Sequence, residues 1–382
     1  MTADDTTADD TPVAADASRD TGAGRRYGHG LVLGKFYPPH AGHHHLVRTA
    51  RERCDRLTVL VCASSVESVP LDDRVAWMRE VHPDALVVGA VDDVPVDLHD
   101  PEVWDAHMKI FRTAVPEPVD AVFTSEAYGA ELARRFGAAS VLVDPERRTH
   151  PVSGTAVRAD PAGCWDHLSA PVRAALTRRV VVLGAESTGT TTMARALAEH
   201  YRGRGGVWAR TRWVPEYGRA YSERKLAELR AERPDADWSD VTFRSADFPV
   251  IALRQAELEE EAARDGSPVL FCDTDAFATT IWHERYLGTS SPGTGEIAAR
   301  GRQHLWLLTD HRGVPFEDDG LRDGEHLRPW MTARFLAQLA HTGRRTVVLT
   351  GPHEERLATA VAAVDALLAE GWHFTDPLPE RR

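Results

Sequence analysis

The sequence predicts an α/β protein of two domains, each built on a parallel sheet with flanking helices. Short apolar runs that are typical of buried strands alternate with segments whose apolar spacing suits helices. Two glycine-containing loops, about 150 residues apart, each follow such a strand and precede such a helix. With 382 residues, the chain has room for two domains that each bury a core. Two loops of this kind predict two phosphate-binding sites.

The first half of the chain alternates regularly between strand and helix patterns. Residues 31–33 form an apolar strand before the first loop, and residues 46–54 have helical spacing after it. The alternation continues through a buried strand at 58–65, an amphipathic helix at 72–83, and a strand, turn and helix over 121–138. Because strands that alternate with helices form parallel sheets, this half predicts a Rossmann-like sheet.

The first loop, GKFYPPHAGH at residues 34–43, is chemically suited to an anionic ligand. Gly34 allows the backbone to approach a ligand closely, and Lys35 adds a fixed positive charge. His40 and His43 are three residues apart, so their side chains converge on one group if the helix begins here. Reactions at an α-phosphate develop negative charge on oxygen atoms, and donors and cations such as these stabilise that charge.

The histidine-rich string HAGHHH has a second interpretation, as a metal-binding cluster or a solvated run of histidines. For an isolated pair of histidines, that interpretation is the better one. The full pattern GxFxPxHxGH is far more restrictive, and it favours a phosphate-binding loop.

The first loop resembles the signature of the nucleotidyltransferases with an HxGH motif, which transfer an adenylyl or cytidylyl group and release pyrophosphate. A second element of that family, ISxTxxR, is similar to PVSGTAVR at residues 151–158, with Val152 in the usual isoleucine place. The catalytic residues that this resemblance implies are His40, His43, Lys35 and Arg158. The residues that it implies as nucleotide contacts are Gly34, Phe36, Gly42, Ser153 and Thr155. Arg158 would bind the β- and γ-phosphates through its forked guanidinium.

The string FTSEAYG at residues 123–129 resembles the nicotinamide mononucleotide adenylyltransferase module of the NadR family. The resemblance extends over roughly residues 28–160. It implies that Trp104 stacks on a nicotinamide ring, whereas a large aromatic side chain on a helix is more often part of the core.

The second loop, GAESTGTTT at residues 184–192, has the sequence context of a P-loop. A continuous apolar strand at 179–183 precedes it, and a helical pattern at 191–201 follows. Gly184 and Gly189 match the pattern GxxxxGK[ST]. The predicted nucleotide-binding residues of this loop are Gly184, Ser187, Thr188, Gly189, Thr190, Thr191 and Thr192.

One position departs from the P-loop pattern, because Thr190 stands where the lysine belongs. The lysine normally neutralises charge on the β- and γ-phosphates, and backbone N–H groups supply only partial charges. Three explanations follow: another cation such as Lys225 or Arg219 replaces the lysine, the loop binds a nucleotide without efficient transfer, or kinase activity has been lost.

Charged residues follow the predicted strands of the second half. Glu216 and Arg219 lie in the element PEYGR, and Asp273 and Asp275 lie at a strand end in DTD. A charged loop follows with Asp318, Asp319, Arg322 and Asp323. These elements resemble the ribosylnicotinamide kinase module of the NadR family over about residues 178–375. The resemblance implies that Asp273 is catalytic, that Asp273 and Thr191 bind magnesium, and that Glu216, Arg219, Asp275 and Arg322 bind substrate.

Composition indicates which classes of partner and which cellular location to expect. Net charge is −13, so a nonspecific nucleic-acid binder is not expected. Four scattered cysteines without a CxxC pair suit a reducing cytoplasm, and we expect neither a membrane span nor a signal peptide. A DNA-binding repressor domain is not expected either. The sequence is compatible with a homo-oligomer and contains no internal repeat.

The expected domain boundaries follow from composition and motifs. Residues 1–26 are expected to form a disordered acidic tail, 27–165 the nucleotidyltransferase domain, 166–178 a linker, and 179–376 the P-loop domain.

The resemblances imply a bifunctional enzyme of NAD biosynthesis. The first domain would join nicotinamide mononucleotide to the AMP of ATP, giving NAD and pyrophosphate, with magnesium on the triphosphate. The second would bind ATP and phosphorylate ribosylnicotinamide. One alternative is an adenylyl- or cytidylyltransferase for another acceptor, such as a pantetheine phosphate or glycerol phosphate, fused to a P-loop kinase. The other is a regulator that senses ATP or NAD through a non-catalytic P-loop.

Overall fold

A computed structural model describes residues 26–317 and 324–381 of the chain. The described residues form two compact units, one of residues 26–154 together with 374–381 and the other of the described residues between 155 and 373. The predicted tail lies outside the described residues, except for Arg26. No helix of the described part is both long and apolar enough to cross a membrane.

The first unit contains a five-stranded sheet in which all neighbouring strands are parallel. The strands of this part of the chain are β1 Tyr27–Gly34, β2 Cys54–Ala63, β3 Leu86–Val91, β4 Val96–Asp97, β5 Ala121–Thr124 and β6 Ala139–Leu142, and all of them except β4 belong to the five-stranded sheet. Its helices are α1 Ala41–Glu52, α2 Leu71–Val81, α3 Pro101–Ala114 and α4 Gly129–Phe136. The strand order in the five-stranded sheet is β3-β2-β1-β5-β6, so the chain reverses direction across the sheet at β1. Open α/β sheets bind ligands at such a reversal, beyond the carboxyl ends of the strands.

Both faces of the first sheet are buried, which explains why its strands have continuous apolar sequences. On β2, Val59 and Val61 pack on one face with Met78 of α2. Leu60 of the same strand packs on the other face with Met108 of α3. Successive side chains of a strand point to opposite faces, and here both faces carry helices.

The second unit contains a second parallel five-stranded sheet. Its strands are β7 Arg178–Gly184, β8 Arg212–Val214, β9 Val269–Asp273, β10 Gln303–Thr309 and β11 Thr346–Leu349. The helices of this part of the chain are α5 Gly154–Ala159, α6 Ala170–Leu176, α7 Thr190–Arg202, α8 Tyr217–Glu232, α9 Asp247–Asp265, α10 Ala276–Leu287, α11 Pro292–Ala299, α12 Arg328–His341 and α13 His353–Ala369. The strand order is β11-β10-β7-β9-β8, so β7 is the central strand and precedes the predicted P-loop.

The two units differ from the predicted domains in two places. The expected linker at 166–178 is folded within the second unit, because Val172 and Leu176 of α6 are buried and the Trp165 indole donates to the Gly266 carbonyl at 2.9 Å. Residues 374–381 belong to the first unit, where the last strand, β12 Glu380–Arg381, pairs with β4.

Candidate active sites

The loop between β1 and α1 has a constrained backbone. Phe36 is buried and has a positive φ of 47°, and the Tyr37–Pro38 peptide is cis. A Cβ on Gly34 would lie 3.4 Å from the Phe36 ring, so the aromatic ring packs directly over this glycine. The role of Gly34 in allowing close approach of a phosphate stays a prediction.

His40 and His43 lie together at the start of α1. Their rings stack with centroids 3.7 Å apart, and the backbone N–H of His40 donates to Nδ1 of His43 at 3.3 Å. Because Nδ1 of His43 accepts a hydrogen bond, its neutral ring carries the proton on Nε2. Burial lowers the pKa of His43 well below its usual value, and the charges of His40, His44 and Arg147 lower it further. His43 is therefore a neutral hydrogen-bond donor at a helix N-terminus, where anions bind.

Gly42 lies against the His40 ring. A Cβ at residue 42 would lie 3.2 Å from Cε1 and 3.3 Å from Nδ1 of that ring, which is tighter than most Cβ contacts. The glycine of the HxGH pattern thus leaves room for His40 to stack on His43.

The remaining histidines of the run have other partners. His44 is buried, and its Nδ1 lies 2.9 Å from Nε2 of His82. Burial lowers the pKa of His44 to about 3 and that of His82 to about 4. His45 instead packs edge-on against His150. Among the described residues, no group of three or more acidic, histidine or cysteine side chains is arranged to hold a metal ion, so the metal-cluster interpretation has no support there.

Lys35 pairs with the end of the chain. Its Nζ lies 3.0 Å from Oε1 of Glu380, and both side chains are partly exposed. Next to it, the Tyr37 hydroxyl donates to the Thr375 carbonyl at 2.9 Å. The predicted catalytic cation is therefore held by a carboxylate that lies 345 residues away in sequence.

Arg74 of α2 supports the first loop and was not identified from the sequence. Its Nη1 donates to the Lys35 carbonyl at 3.0 Å and to Oε2 of Glu67 at 2.6 Å, in an ion pair that is fully buried. Its guanidinium lies 4.3 Å from the centroid of the Tyr37 ring. Its sequence context is an ordinary amphipathic helix. Only the folded structure shows that this buried guanidinium donates a hydrogen bond to the loop backbone.

The second motif of the first domain lies at α5. Arg158 donates from Nη2 to Oγ1 of Thr155 at 3.3 Å. The boundary between the two compact units falls between Gly154 and Thr155, inside the motif, and Ser153 lies on the side of the first unit. The roles of Ser153, Thr155 and Arg158 in binding phosphate stay predictions.

Trp104 lies on α3 in the core of the first unit. It is 6% exposed, its Nε1 donates to the Leu98 carbonyl at 3.2 Å, and the Arg135 guanidinium lies 5.3 Å from its ring centroid. These are the contacts of a core side chain, and stacking of Trp104 on a nicotinamide ring stays a prediction.

The loop between β7 and α7 has the backbone expected of a P-loop. Gly189 precedes α7 with a φ of 87°, and Ser187 has a φ of 56°. A Cβ on Gly184 would lie 2.2 Å from Oγ1 of Thr309 and 2.5 Å from Oγ1 of Thr188, so no other residue fits there. Thr188 is buried behind the loop, where its hydroxyl bonds the Ala185 carbonyl.

Asp273 ends β9 beside this loop, and Oγ1 of Thr191 donates to its Oδ2. The carboxyl is almost fully buried, and burial raises its pKa, while hydrogen bonds from Thr191 and Thr190 lower it in part. A carboxylate and a hydroxyl are hard oxygen donors of the kind that magnesium prefers. The donor set at Asp273 and Thr191 therefore fits a magnesium ion.

Asp275 makes structural contacts in this domain, and its predicted role in binding substrate stays a prediction. Its Oδ1 accepts from the Ala278 N–H at 2.8 Å and caps α10, and its Oδ2 accepts from Trp306 Nε1 at 3.0 Å. The side chain is 1% exposed. Both oxygens are thus used within the domain, because the residue that starts a helix turns its carboxylate toward the helix N–H groups.

A cavity of about 300 Å³ opens beside the second loop. It brings together predicted residues from three segments: Gly184, Ser187, Thr190, Thr191, Glu216, Arg219 and Asp273. Six aromatic side chains that sequence reasoning missed also line it: Trp213, Trp238, Phe243, Phe248, Trp282 and Tyr286. Such walls suit a planar ring next to a phosphate site. Their positions on separate elements give no local sequence signal.

The proposed substitutes for the P-loop lysine already have acidic partners. Lys225 Nζ lies 2.7 Å from Oδ2 of Asp247, and Arg219 pairs with Glu223 at 3.2 Å while lining the cavity. Neither is placed on the loop itself by these contacts. Arg322, predicted to bind substrate from a lid, lies outside the described residues, as do its neighbours Asp318, Asp319 and Asp323.

The two sheets and their loops define a nucleotide-binding protein with a nucleotidyltransferase domain followed by a P-loop domain. The cytidylyltransferase-like family model matches residues 31–160, and the AAA domain model matches residues 179–356. These matches confirm the predicted fold class.

Individual relatives narrow the family. The chain is 27% identical over 315 residues to the trifunctional NAD biosynthesis/regulator protein NadR of Escherichia coli (strain K12). The aligned region covers 77% of this chain and 71% of the relative. The chain is 32% identical over 136 residues to the nicotinamide-nucleotide adenylyltransferase of Aeropyrum pernix. That aligned region covers 34% of this chain and 76% of the relative. A crystal structure of a NadR protein in complex with NR matches with a TM-score of 0.68 and 22% identity, over 92% of this chain and 99% of that one. The chain belongs to the nicotinamide-nucleotide adenylyltransferase family through its first domain, and as a whole it is a NadR-like protein of two modules.

Proposed function

We propose that the first domain transfers an adenylyl group from ATP to nicotinamide mononucleotide, giving NAD and pyrophosphate. The observation that carries this proposal is the stacked pair His40 and His43, which presents a neutral N–H donor at a helix N-terminus on the central strand of the sheet. The acceptor is supported by the 32% identity to a nicotinamide-nucleotide adenylyltransferase.

In the proposed reaction, a phosphate oxygen of the mononucleotide attacks the α-phosphorus of ATP in line. A bond forms between that oxygen and the α-phosphorus, and the bond from the α-phosphorus to the bridging oxygen of pyrophosphate breaks. His40, His43, Lys35 and Arg158 stabilise the negative charge that develops, so catalysis rests on positioning and hydrogen bonding. Gly34, Phe36 and Gly42 shape the loop around the phosphates, and Ser153 and Thr155 orient them.

The second domain is proposed to phosphorylate ribosylnicotinamide, which yields the mononucleotide that the first domain consumes. The ATP phosphates would lie on the loop from Gly184 to Thr192, and the riboside would enter the aromatic cavity beside Glu216 and Arg219. The matched NadR structure that contains NR supports this acceptor. When bound, magnesium would be held by Thr191 and Asp273 and would neutralise phosphate charge.

We propose Asp273, which lines the cavity, as the base for the riboside hydroxyl as well. Its carboxylate would accept the hydroxyl proton as the γ-phosphoryl group is transferred. All four cysteines are free thiols, which supports our further proposal of a cytoplasmic location.

A product assay with competing acceptors tests the first proposal. Purified protein, ATP and magnesium are incubated with nicotinamide mononucleotide, pantetheine phosphate and glycerol phosphate together, and products are separated by chromatography. We expect NAD as the main product. Preferential adenylylation of another acceptor would refute the assignment.

Transfer from γ-labelled ATP to ribosylnicotinamide tests the second proposal. We expect label in the mononucleotide with wild-type protein and none with Asp273→Ala. A second candidate, binding of ATP or NAD without turnover, is favoured by the threonine at residue 190. Calorimetric binding of ATP without labelled product would support that candidate and remove the kinase proposal.

A further inference from the structure

Thr190 begins α7 at the position of the P-loop lysine and carries no charge. A P-loop lysine neutralises the β- and γ-phosphates, whereas the helix N-terminus and peptide N–H groups supply only partial charges. A loop that binds a triphosphate without this lysine needs positive charge from another part of its domain.

Helix α13 supplies a buried guanidinium to the back of the second loop. Arg356 is 4% exposed, and its Nη1 donates to the carbonyl of Thr188 at 3.2 Å. Its Nη2 donates to the Asp310 carbonyl at 2.9 Å, and its Nε donates to the Gly351 carbonyl at 2.7 Å. The guanidinium is thus fixed among backbone oxygens, one of which belongs to the loop.

Helix α12 supplies a second guanidinium to the preceding residue of the loop. Arg328 is 5% exposed, and its Nη2 lies 3.5 Å from the carbonyl oxygen of Ser187. The same nitrogen donates to the carbonyls of His311 at 3.0 Å and Val314 at 2.9 Å. Two consecutive loop carbonyls, at Ser187 and Thr188, therefore face arginine side chains.

These contacts fix the direction of two peptide groups. In a trans peptide, C=O and N–H point in opposite directions, so a guanidinium at the Ser187 carbonyl directs the Thr188 N–H away from itself. Arg356 has the same effect on the N–H of Gly189. Successive N–H groups aimed to one side form a concave anion site, and a hydrogen bond at the carbonyl polarises the N–H of the same peptide.

Both guanidinium groups also bring a full charge to the loop. Burial lowers the pKa of each, but arginine starts from so high a value that both stay protonated at neutral pH. The nearby carboxylates are Glu325 for Arg328 and Asp310 for Arg356, and Asp310 is itself paired with Arg312 at 2.6 Å. Charges in such a poorly solvated place are weakly screened.

We propose that Arg328 and Arg356 compensate for the missing P-loop lysine by holding and polarising the loop peptides from behind. They act through the backbone, so they are positioning residues rather than catalytic ones. This inference rests on the proposed binding of ATP by the second domain, and it does not depend on the identity of the phosphoryl acceptor.

Calorimetric titration of magnesium ATP into the full-length protein tests the inference. We expect Arg356→Met to weaken binding by roughly 10- to 100-fold, the range for loss of a hydrogen bond to a charged group. The matched control is Arg178→Met, because Arg178 donates to the Gly371 carbonyl from the opposite end of β7. We expect that control to bind ATP within about 2-fold of wild type, because sites remote from each other affect binding independently.

Restoring the lysine separates charge compensation from a purely structural role. Thr190→Lys in the Arg356→Met background should recover most of the lost affinity without raising the melting temperature of the unliganded protein. Lost affinity that Thr190→Lys does not recover would overturn the inference, as would wild-type affinity in folded Arg356→Met.

A further variant keeps the test decisive if Arg356→Met fails to fold. In the otherwise unchanged protein, Thr190→Lys should improve ATP affinity by less than about 3-fold, because the phosphate charge is already balanced. An increase of about 100-fold, near 2.7 kcal/mol, would mean that the arginines do not compensate. If wild type binds ATP but transfers no phosphate to the riboside, the kinase proposal fails and the inference is judged on these affinities. If wild type binds no ATP, both fail.

Discussion

The loops after β1 and β7 both join the central strand of a parallel sheet to a helix, yet they place their positive charge differently. The first loop carries polar and charged side chains of its own, Lys35, His40 and His43. The second lines the cavity with Glu186, which pairs with Arg285, and with hydroxyl side chains, while arginines contact its backbone carbonyls. We therefore propose that the same strand-to-helix geometry binds phosphate through side chains in one domain and through supported peptide groups in the other.

If side chains carry the chemistry of the first loop, removing one donor should have the largest effect of all. We predict that His43→Ala lowers the rate of NAD formation from the mononucleotide by about 10²- to 10³-fold, as for other donors to a developing oxyanion. A steady-state assay measures this, with His45→Ala as the control, because His45 packs on His150 instead. Rates near wild type in folded His43→Ala would contradict a catalytic role for the His43 side chain.

Phosphoryl transfer at the second loop should depend on Asp273 and not on Asp275 in the same DTD element. We predict that Asp273→Asn lowers phosphoryl transfer to the riboside by about 10²-fold or more, as for general-base removal, while NAD formation from the mononucleotide is unchanged. Asp275→Asn should chiefly lower stability, by about 1 kcal/mol, because a helix cap is weakened. Labelled-phosphate transfer and urea unfolding distinguish the two. Equal loss of transfer in both variants would support a substrate role for Asp275.

The histidines of the first loop and helix α1 have different roles: His40 and His43 stack on each other, whereas His44 pairs with His82. In the folded protein the pKa values of His44 and His82 are about 3 and about 4, below the ordinary value of 6.5. The unfolded chain therefore binds more protons between pH 3 and 6.5, so stability is complete above pH 6.5 and falls as the pH is lowered. We expect a loss of a few kcal/mol by pH 4, at about 1.4 kcal/mol per pKa unit.

Urea unfolding of the protein from pH 7.5 to 4, followed by a probe in the first unit, measures this dependence. His82→Gln keeps a hydrogen-bonding side chain beside His44 but does not titrate, so its stability should vary less with pH. An identical pH dependence for wild type and His82→Gln would contradict the assignment of this pair.

The smallest expected effect concerns the Lys35–Glu380 pair. Because Glu380 competes with phosphate for the Lys35 ammonium, Glu380→Gln should lower the KM for ATP in adenylyl transfer by about 2- to 3-fold, in keeping with the modest strength of partly exposed ion pairs. Asp376→Asn, an exposed change in the same terminal segment, is the control. An increase in KM would mean that Glu380 helps to position Lys35 for the triphosphate.

The sequence predicted those features that contiguous residues encode. Gly184 and Gly189 were found because the backbone of a P-loop constrains residue types at fixed spacing, and both sheets followed from alternating apolar patterns. The structural contacts of Asp275 could not be predicted, because composition at a strand end does not reveal which way a carboxylate turns. Arg74, Arg328, Arg356 and the aromatic cavity walls could not be found, since their partners lie on separate elements and meet only in the folded chain.

The most direct test of two cooperating sites is a chromatographic assay with ATP, magnesium and ribosylnicotinamide, run with wild type and with His43→Ala. We predict that wild type converts the riboside to NAD, whereas His43→Ala accumulates nicotinamide mononucleotide with little NAD. If wild type forms neither mononucleotide nor NAD from the riboside, while it still forms NAD from added mononucleotide, the claim of a working second site is contradicted.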